Sequence, residues 1–124
     1  MPVPILKQGE ILIASIQAAL SDKDLVDLRD ELAHRVGRFR IQGVIVDVTA
    51  LDVLDSFASR TIRGIAYIMK LRGANTVVVG IQPEVAFSMV QLGLTLEGVA
   101  TALDLEEGLE ILRWPVERDP GGVR

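Results

Sequence analysis

Three short runs of apolar, largely β-branched residues dictate what this chain can become. They are Ile11-Leu12-Ile13-Ala14-Ser15-Ile16, Val44 to Val48, and Asn75 to Ile81, with Val77-Val78-Val79 at the centre of the last. A half-exposed strand alternates apolar and polar residues. These runs do not alternate, so each reads as a strand covered on both faces. None approaches the roughly 20 apolar residues of a membrane helix, and no membrane association is expected. The segments between them have helical spacing. Ser21 to Val36 carries Leu25, Leu28, Leu32 and Val36 on one stripe, with Ser21 as cap, Asp24 three residues on, and Gly37 in the C′ position. Ser56 to Arg72 is the next helix, ended by Gly73. Gln82-Pro83-Glu84 opens a short helix closed by Gly93. Asp104 starts a last helix with Glu107 as its box partner, Leu105, Leu109 and Leu112 as its stripe, and Trp114-Pro115 as its end.

Ahead of the first long strand, Ile5-Leu6-Lys7 and the turn Gln8-Gly9 predict a hairpin. After it, strands alternate with helices. That order predicts an α/β layer structure, a mixed β-sheet with about four helices packed on it. A single domain over residues 1–115 and a flexible tail over 116–124 are expected.

Composition removes several classes of function. The 124 residues are 49% hydrophobic, which requires a folded core, and include no cysteine, which excludes disulfides and thiol chemistry. A net charge of −4 argues against non-specific nucleic-acid binding, and 4% aromatics argues against base-stacking platforms. The one histidine, His34, lies on a charged helix and reads as a solvated residue, so neither a transition-metal site nor a Ser-His-Asp triad is expected. There is no phosphate-binding glycine motif and no basic-then-apolar leader at the N-terminus. No cofactor is expected, and the composition suits a cytoplasmic protein.

The segment 47-DVTALDVLDSFASR-60 is where chemistry concentrates. It follows a buried strand and leads into a helix, with Ser56 as that helix's first or capping residue. Backbone dipoles at a helix start favour an added anion, which makes Ser56 a candidate phosphorylation switch. Asp47, Thr49, Asp52, Asp55 and Arg60 form its environment. Arg60 lies four residues on and shares the helix face of Ser56. Asp55 and Asp52 would repel a phosphate, so the balance stays open at this level. The three aspartates also admit another reading, a Mg²⁺ site or a phosphoryl acceptor, against the simpler one of turn and cap residues. The acceptor reading wants a lysine nearby, and Lys70 is the only lysine after Lys23.

The helix from Ser56 carries Arg60, Arg63, Lys70 and Arg72 with no acid. Ala58, Ile62, Ile65, Ala66 and Met69 make its core stripe, and Tyr67, Ile68 and Leu71 lie off it. Phe57, Arg63, Tyr67 and Ile68 are therefore candidates for a partner-binding face, or else a second core wall covers the spare apolar residues.

These elements and the loop D-V-T-x-L-D-x-L-D-S-F resemble the STAS domain family, the fold of anti-sigma factor antagonists. Within it the chain is similar to the RsbS class of stressosome scaffolds. The similarity lies in Pro4-Ile5-Leu6-Lys7, Ser15-Ile16-Gln17, Asp55-Ser56-Phe57, Gly80-Ile81-Gln82-Pro83, Leu92-Gly93 and 102-ALDLEEGLEIL-112. The resemblance implies a non-catalytic protein that co-assembles with RsbR-type sensor proteins, as a homo- and hetero-oligomer. The assembly would hold an RsbT-type serine/threonine kinase inactive until the kinase phosphorylates Ser56 and leaves. A PP2C-type phosphatase would reset it. The alternative within the family is a free-standing anti-sigma factor antagonist that binds an anti-sigma kinase in a small complex.

Overall fold

The computed structural model describes residues 3–18 and 20–113. The expected helix end at Trp114-Pro115 and the tail 116–124 lie outside those residues. Five strands form one mixed sheet in the order of the chain: β1 (Ile5–Gln8), β2 (Ile11–Ser15), β3 (Gly43–Asp47), β4 (Asn75–Val79) and β5 (Ala100–Ala102). The β1–β2 hairpin is antiparallel, and β2, β3, β4 and β5 run parallel to one another. Among the described residues, four helices accompany the sheet: α1 (Asp22–Arg38), α2 (Ser56–Leu71), α3 (Pro83–Leu92) and α4 (Leu105–Arg113). The expected mixed sheet with four helices is what the chain forms.

The strand order determines where the helices go. Each crossover, through α1, α2 and then α3, steps one strand further in the same direction. Right-handed crossovers that never reverse direction put every connecting helix on one face. The buried clusters follow this division. Leu12, Ala14, Val44, Val46 and Val78 pack with Leu28 and Leu32 of α1, Ile62, Ile65 and Met69 of α2, and Val85 and Met89 of α3. The opposite face, Ile13, Ile45, Val77 and Val79, is covered by Leu109, Ile111 and Leu112 of α4. Continuously apolar strands are thus buried on both sides, as their sequence requires. Gly108 lets α4 approach closely, because a Cβ there would lie 2.6 Å from a Val79 methyl carbon.

Beyond shifts of a residue at element ends, two boundaries and one strand differ from the sequence reading. Gly37 is not C′. The helix runs through it to Arg38, Phe39 caps it, and Arg40 takes the left-handed conformation with φ 53. A side chain at Gly37 would meet the Arg72 guanidinium, so close helix approach accounts for the glycine. The third long strand stops at Val79, because Gly80 turns the chain with φ 82. The strand β5 was not expected. Its three residues, Ala-Thr-Ala, carry little strand signal, and pairing with Val77–Val79 makes them a strand.

Candidate switch site

The site is the loop between β3 and α2. Asp47 closes β3, and its carboxylate turns back on the loop. One oxygen accepts from the Thr49 amide at 2.9 Å and from the Thr49 hydroxyl at 2.6 Å. This is the aspartate-led turn that short polar side chains favour. The Val48 amide donates to the Val79 carbonyl at 3.0 Å, and the Leu51 amide to the Val48 carbonyl at 3.0 Å. Val48, Leu51 and Leu54 are buried and anchor the loop from below, while Asp52, Val53, Asp55 and Ser56 face solvent.

A second support comes from across the sheet. The Gln82 side-chain amide donates to the Thr49 carbonyl. Gln82 is also the N-cap residue of α3, and it makes no side-chain cap bond there. Gly80 packs directly on Thr49, where a Cβ would collide with the threonine hydroxyl. Gly80 and Gln82 are the loop's supports that reasoning about single segments missed. Their signal is tertiary, since they lie more than thirty residues from Thr49 and reach it only because β4 pairs with β3.

The start of α2 resolves the choice left open for Ser56. Asp55 is the N-cap, and its carboxylate accepts from the Ala58 amide at 2.8 Å. Ser56 is therefore the first helical residue. It is exposed, and its hydroxyl has no hydrogen-bond partner among the described residues. Arg60, one turn on, is exposed and belongs to no ion pair among the described residues. The three aspartates do not converge. Asp47 is engaged by Thr49, Asp55 by the helix start, and no group of three or more acidic or histidine side chains among the described residues could hold a metal ion.

The remaining candidates divide along α2. Phe57 and Ile68 are half-buried and pack against the main core, whereas Tyr67 and Leu71 are 64% and 69% exposed. Arg63 is half-buried, and its Nε has no hydrogen-bond partner among the described residues. His34 is exposed.

A family model described as the STAS domain matches residues 3–108. The chain belongs to the STAS domain family. Among solved STAS structures, the RsbS of Moorella thermoacetica in a serine-to-glutamate variant superimposes with a TM-score of 0.79. It is 35% identical, and the match covers 93% of this chain and 97% of that one. A chain from the molecular architecture of the stressosome, a signal integration and transduction hub, gives a TM-score of 0.76 and 36% identity over 93% of this chain and 99% of that one. The RsbT co-antagonist protein RsbRA of Bacillus subtilis (strain 168) is 31% identical over 83 residues, 67% of this chain and 30% of that protein. The chain thus matches less than a third of the length of this RsbR relative. The RsbS match instead spans nearly the whole of the aligned structure. No helix among the described residues is long and apolar enough to cross a membrane.

Proposed function

We propose that this STAS protein is a non-catalytic stressosome scaffold that sequesters an RsbT-type serine/threonine kinase and releases it when Ser56 is phosphorylated. The observation that carries the reading is the division of labour at the α2 start: Asp55 caps the helix, so the Ser56 hydroxyl is exposed and uncommitted. Near-full-length similarity to an RsbS and to a stressosome chain supports the assembly role. Residues 1–115 act as one domain, co-assemble with RsbR-type sensor proteins in the cytoplasm, and need no cofactor.

Phosphorylation adds about 1.5 to 2 negative charges. Two features favour that charge at Ser56. The helix N-terminus stabilises an anion by roughly 0.3–1 kcal/mol at an exposed position, and Arg60 lies one turn away on the same face. Asp55 opposes it, but that carboxylate already accepts from the Ala58 amide and shares its charge with the helix end. The phosphate is therefore retained without melting α2. It adds about two negative charges to the face where the kinase sits, which includes the Ser56 end of α2 with Asp52 and Phe57. The kinase is displaced by repulsion and lost packing rather than by refolding. A PP2C-type phosphatase restores the hydroxyl.

The test is size-exclusion chromatography with light scattering on this chain mixed with the RsbR-type and kinase proteins of the same genome, before and after ATP. A large particle that captures the kinase, releases it with ATP, and keeps it when Ser56→Ala is substituted is the expected result. A monomer or dimer that binds only an anti-sigma kinase would replace this reading with the free-standing antagonist.

A further inference from the structure

The exposed faces of α2 and α4 carry opposite charge and lie on opposite sides of the sheet. On α2, positions 60, 63, 67, 70 and 71 share one outward stripe at helical spacing. The stripe presents Arg60, Arg63 and Lys70 around Tyr67 and Leu71, and α2 contains no acid. On α4, Glu106, Glu107 and Glu110 are exposed, and Leu103, just ahead of the helix, is 78% exposed. Arg113 is the one basic residue of α4, 4.0 Å from Glu110. Each face therefore has exposed apolar residues among charges of one predominant sign, and the two signs are complementary.

We propose that the outward face of α2 docks on the outward face of α4 of a second copy of this chain. Glu106 and Glu110 of one copy meet Arg63 and Lys70 of the next, and Leu103 packs by Tyr67 and Leu71. The contact is head-to-tail, because the two faces differ. They lie on opposite sides of the sheet, so one copy uses both at once and the contact repeats, closing into a ring or extending as a row. The inference rests on the reading of this protein as an assembling scaffold and names the surfaces that assemble. It leaves the Ser56 end of α2 to the kinase.

The experiment is sedimentation velocity across a concentration series of the full chain alone, without kinase, in low and high salt. Two reversal variants are compared with it, Arg63→Glu with Lys70→Glu, and Glu106→Lys with Glu110→Lys. Circular dichroism checks that each variant keeps its helix content. The unsubstituted chain is expected to self-associate at about 50 mM salt and to weaken at about 500 mM, where screening is stronger. Each reversal variant alone should associate at least about tenfold more weakly. Mixing the two should restore association, since the acidic α2 of one then faces the basic α4 of the other. A chain that stays monomeric throughout would overturn the proposal, as would reversal variants that associate like the unsubstituted chain, or folded variants whose mixture stays dissociated. If the Arg63 pair fails to fold, the Glu106 and Glu110 pair and the salt series still decide. Self-association is read without kinase, so this proposal can fail while kinase capture stands, and the reverse.

Discussion

The starts of α1 and α2 each place a serine beside an aspartate in solvent, yet the two serines have opposite fates. At α1, Ser21 is the N-cap. Its hydroxyl accepts from the Asp24 amide at 3.1 Å, and its own amide donates to the Asp24 carboxylate at 3.2 Å, a reciprocal capping box. At α2, Asp55 takes the cap and Ser56 moves one position into the helix. A capping hydroxyl that is modified costs the helix its end. A hydroxyl at the first helical position can be modified while the cap stays in place. The comparison teaches that a serine at a helix start is left free for modification only when a neighbour takes over the cap.

The largest expected effect separates the two serines by function. Ser56→Ala should incorporate no switch phosphate and should hold the kinase in the presence of ATP, while Ser21→Ala should release it normally. A pull-down with and without ATP measures both, and normal release from Ser56→Ala would end the assignment. Next, Ser56→Asp should weaken kinase binding by about tenfold, roughly 1.4 kcal/mol, measured by calorimetry; unchanged affinity would rule out charge exclusion at this position. Removing either cap tests the structural half of the comparison. Asp55→Ala and Ser21→Ala should each cost about 1 kcal/mol in denaturant unfolding, whereas Ser56→Ala should cost much less, because its hydroxyl caps nothing. A Ser56→Ala loss equal to that of Asp55→Ala would show that both side chains share the cap.

The smallest effect is a pH dependence confined to α1. The Ser21 amide and then the Ser21 hydroxyl hold the Asp24 carboxyl below its ordinary value. A carboxyl whose folded pKa is lowered contributes stability above its unfolded value, about 3.9. That contribution disappears as the pH falls through the lower folded value. Asp24→Asn should therefore lose a little stability at neutral pH and converge with the unsubstituted chain in acid, which thermal unfolding from pH 7 to pH 2 would show. Equal differences at both ends would assign the effect to the amide side chain rather than to charge.

Much of this site was legible along the chain because its signals are local. The apolar runs at Ile11, Val44 and Val77, the serine and aspartate before α2, and Arg60 one turn on each depend on spacing alone. Gly37 misled because glycine has two uses, and here it makes room for Arg72 from a helix far away in sequence. The strand β5 escaped because Ala-Thr-Ala becomes a strand only beside β4. Gly80 and Gln82 carried no local mark of their role under the Thr49 loop.

The sequence by itself determined the layers and the place of the strand-to-helix loop that carries the proposed switch. Strands apolar on both faces demand cover on both, and a serine following an aspartate at a strand-to-helix junction limits where an anion can be accommodated. Tertiary structure alone decided three things. It assigned the cap to Asp55, which depends on backbone angles at the junction. It put α4 on the second face, because the three crossovers that never reverse direction occupy the first. It also left the basic stripe of α2 and the acidic stripe of α4 facing away from each other, since an uncovered helix face exists only once the neighbouring helices are in place.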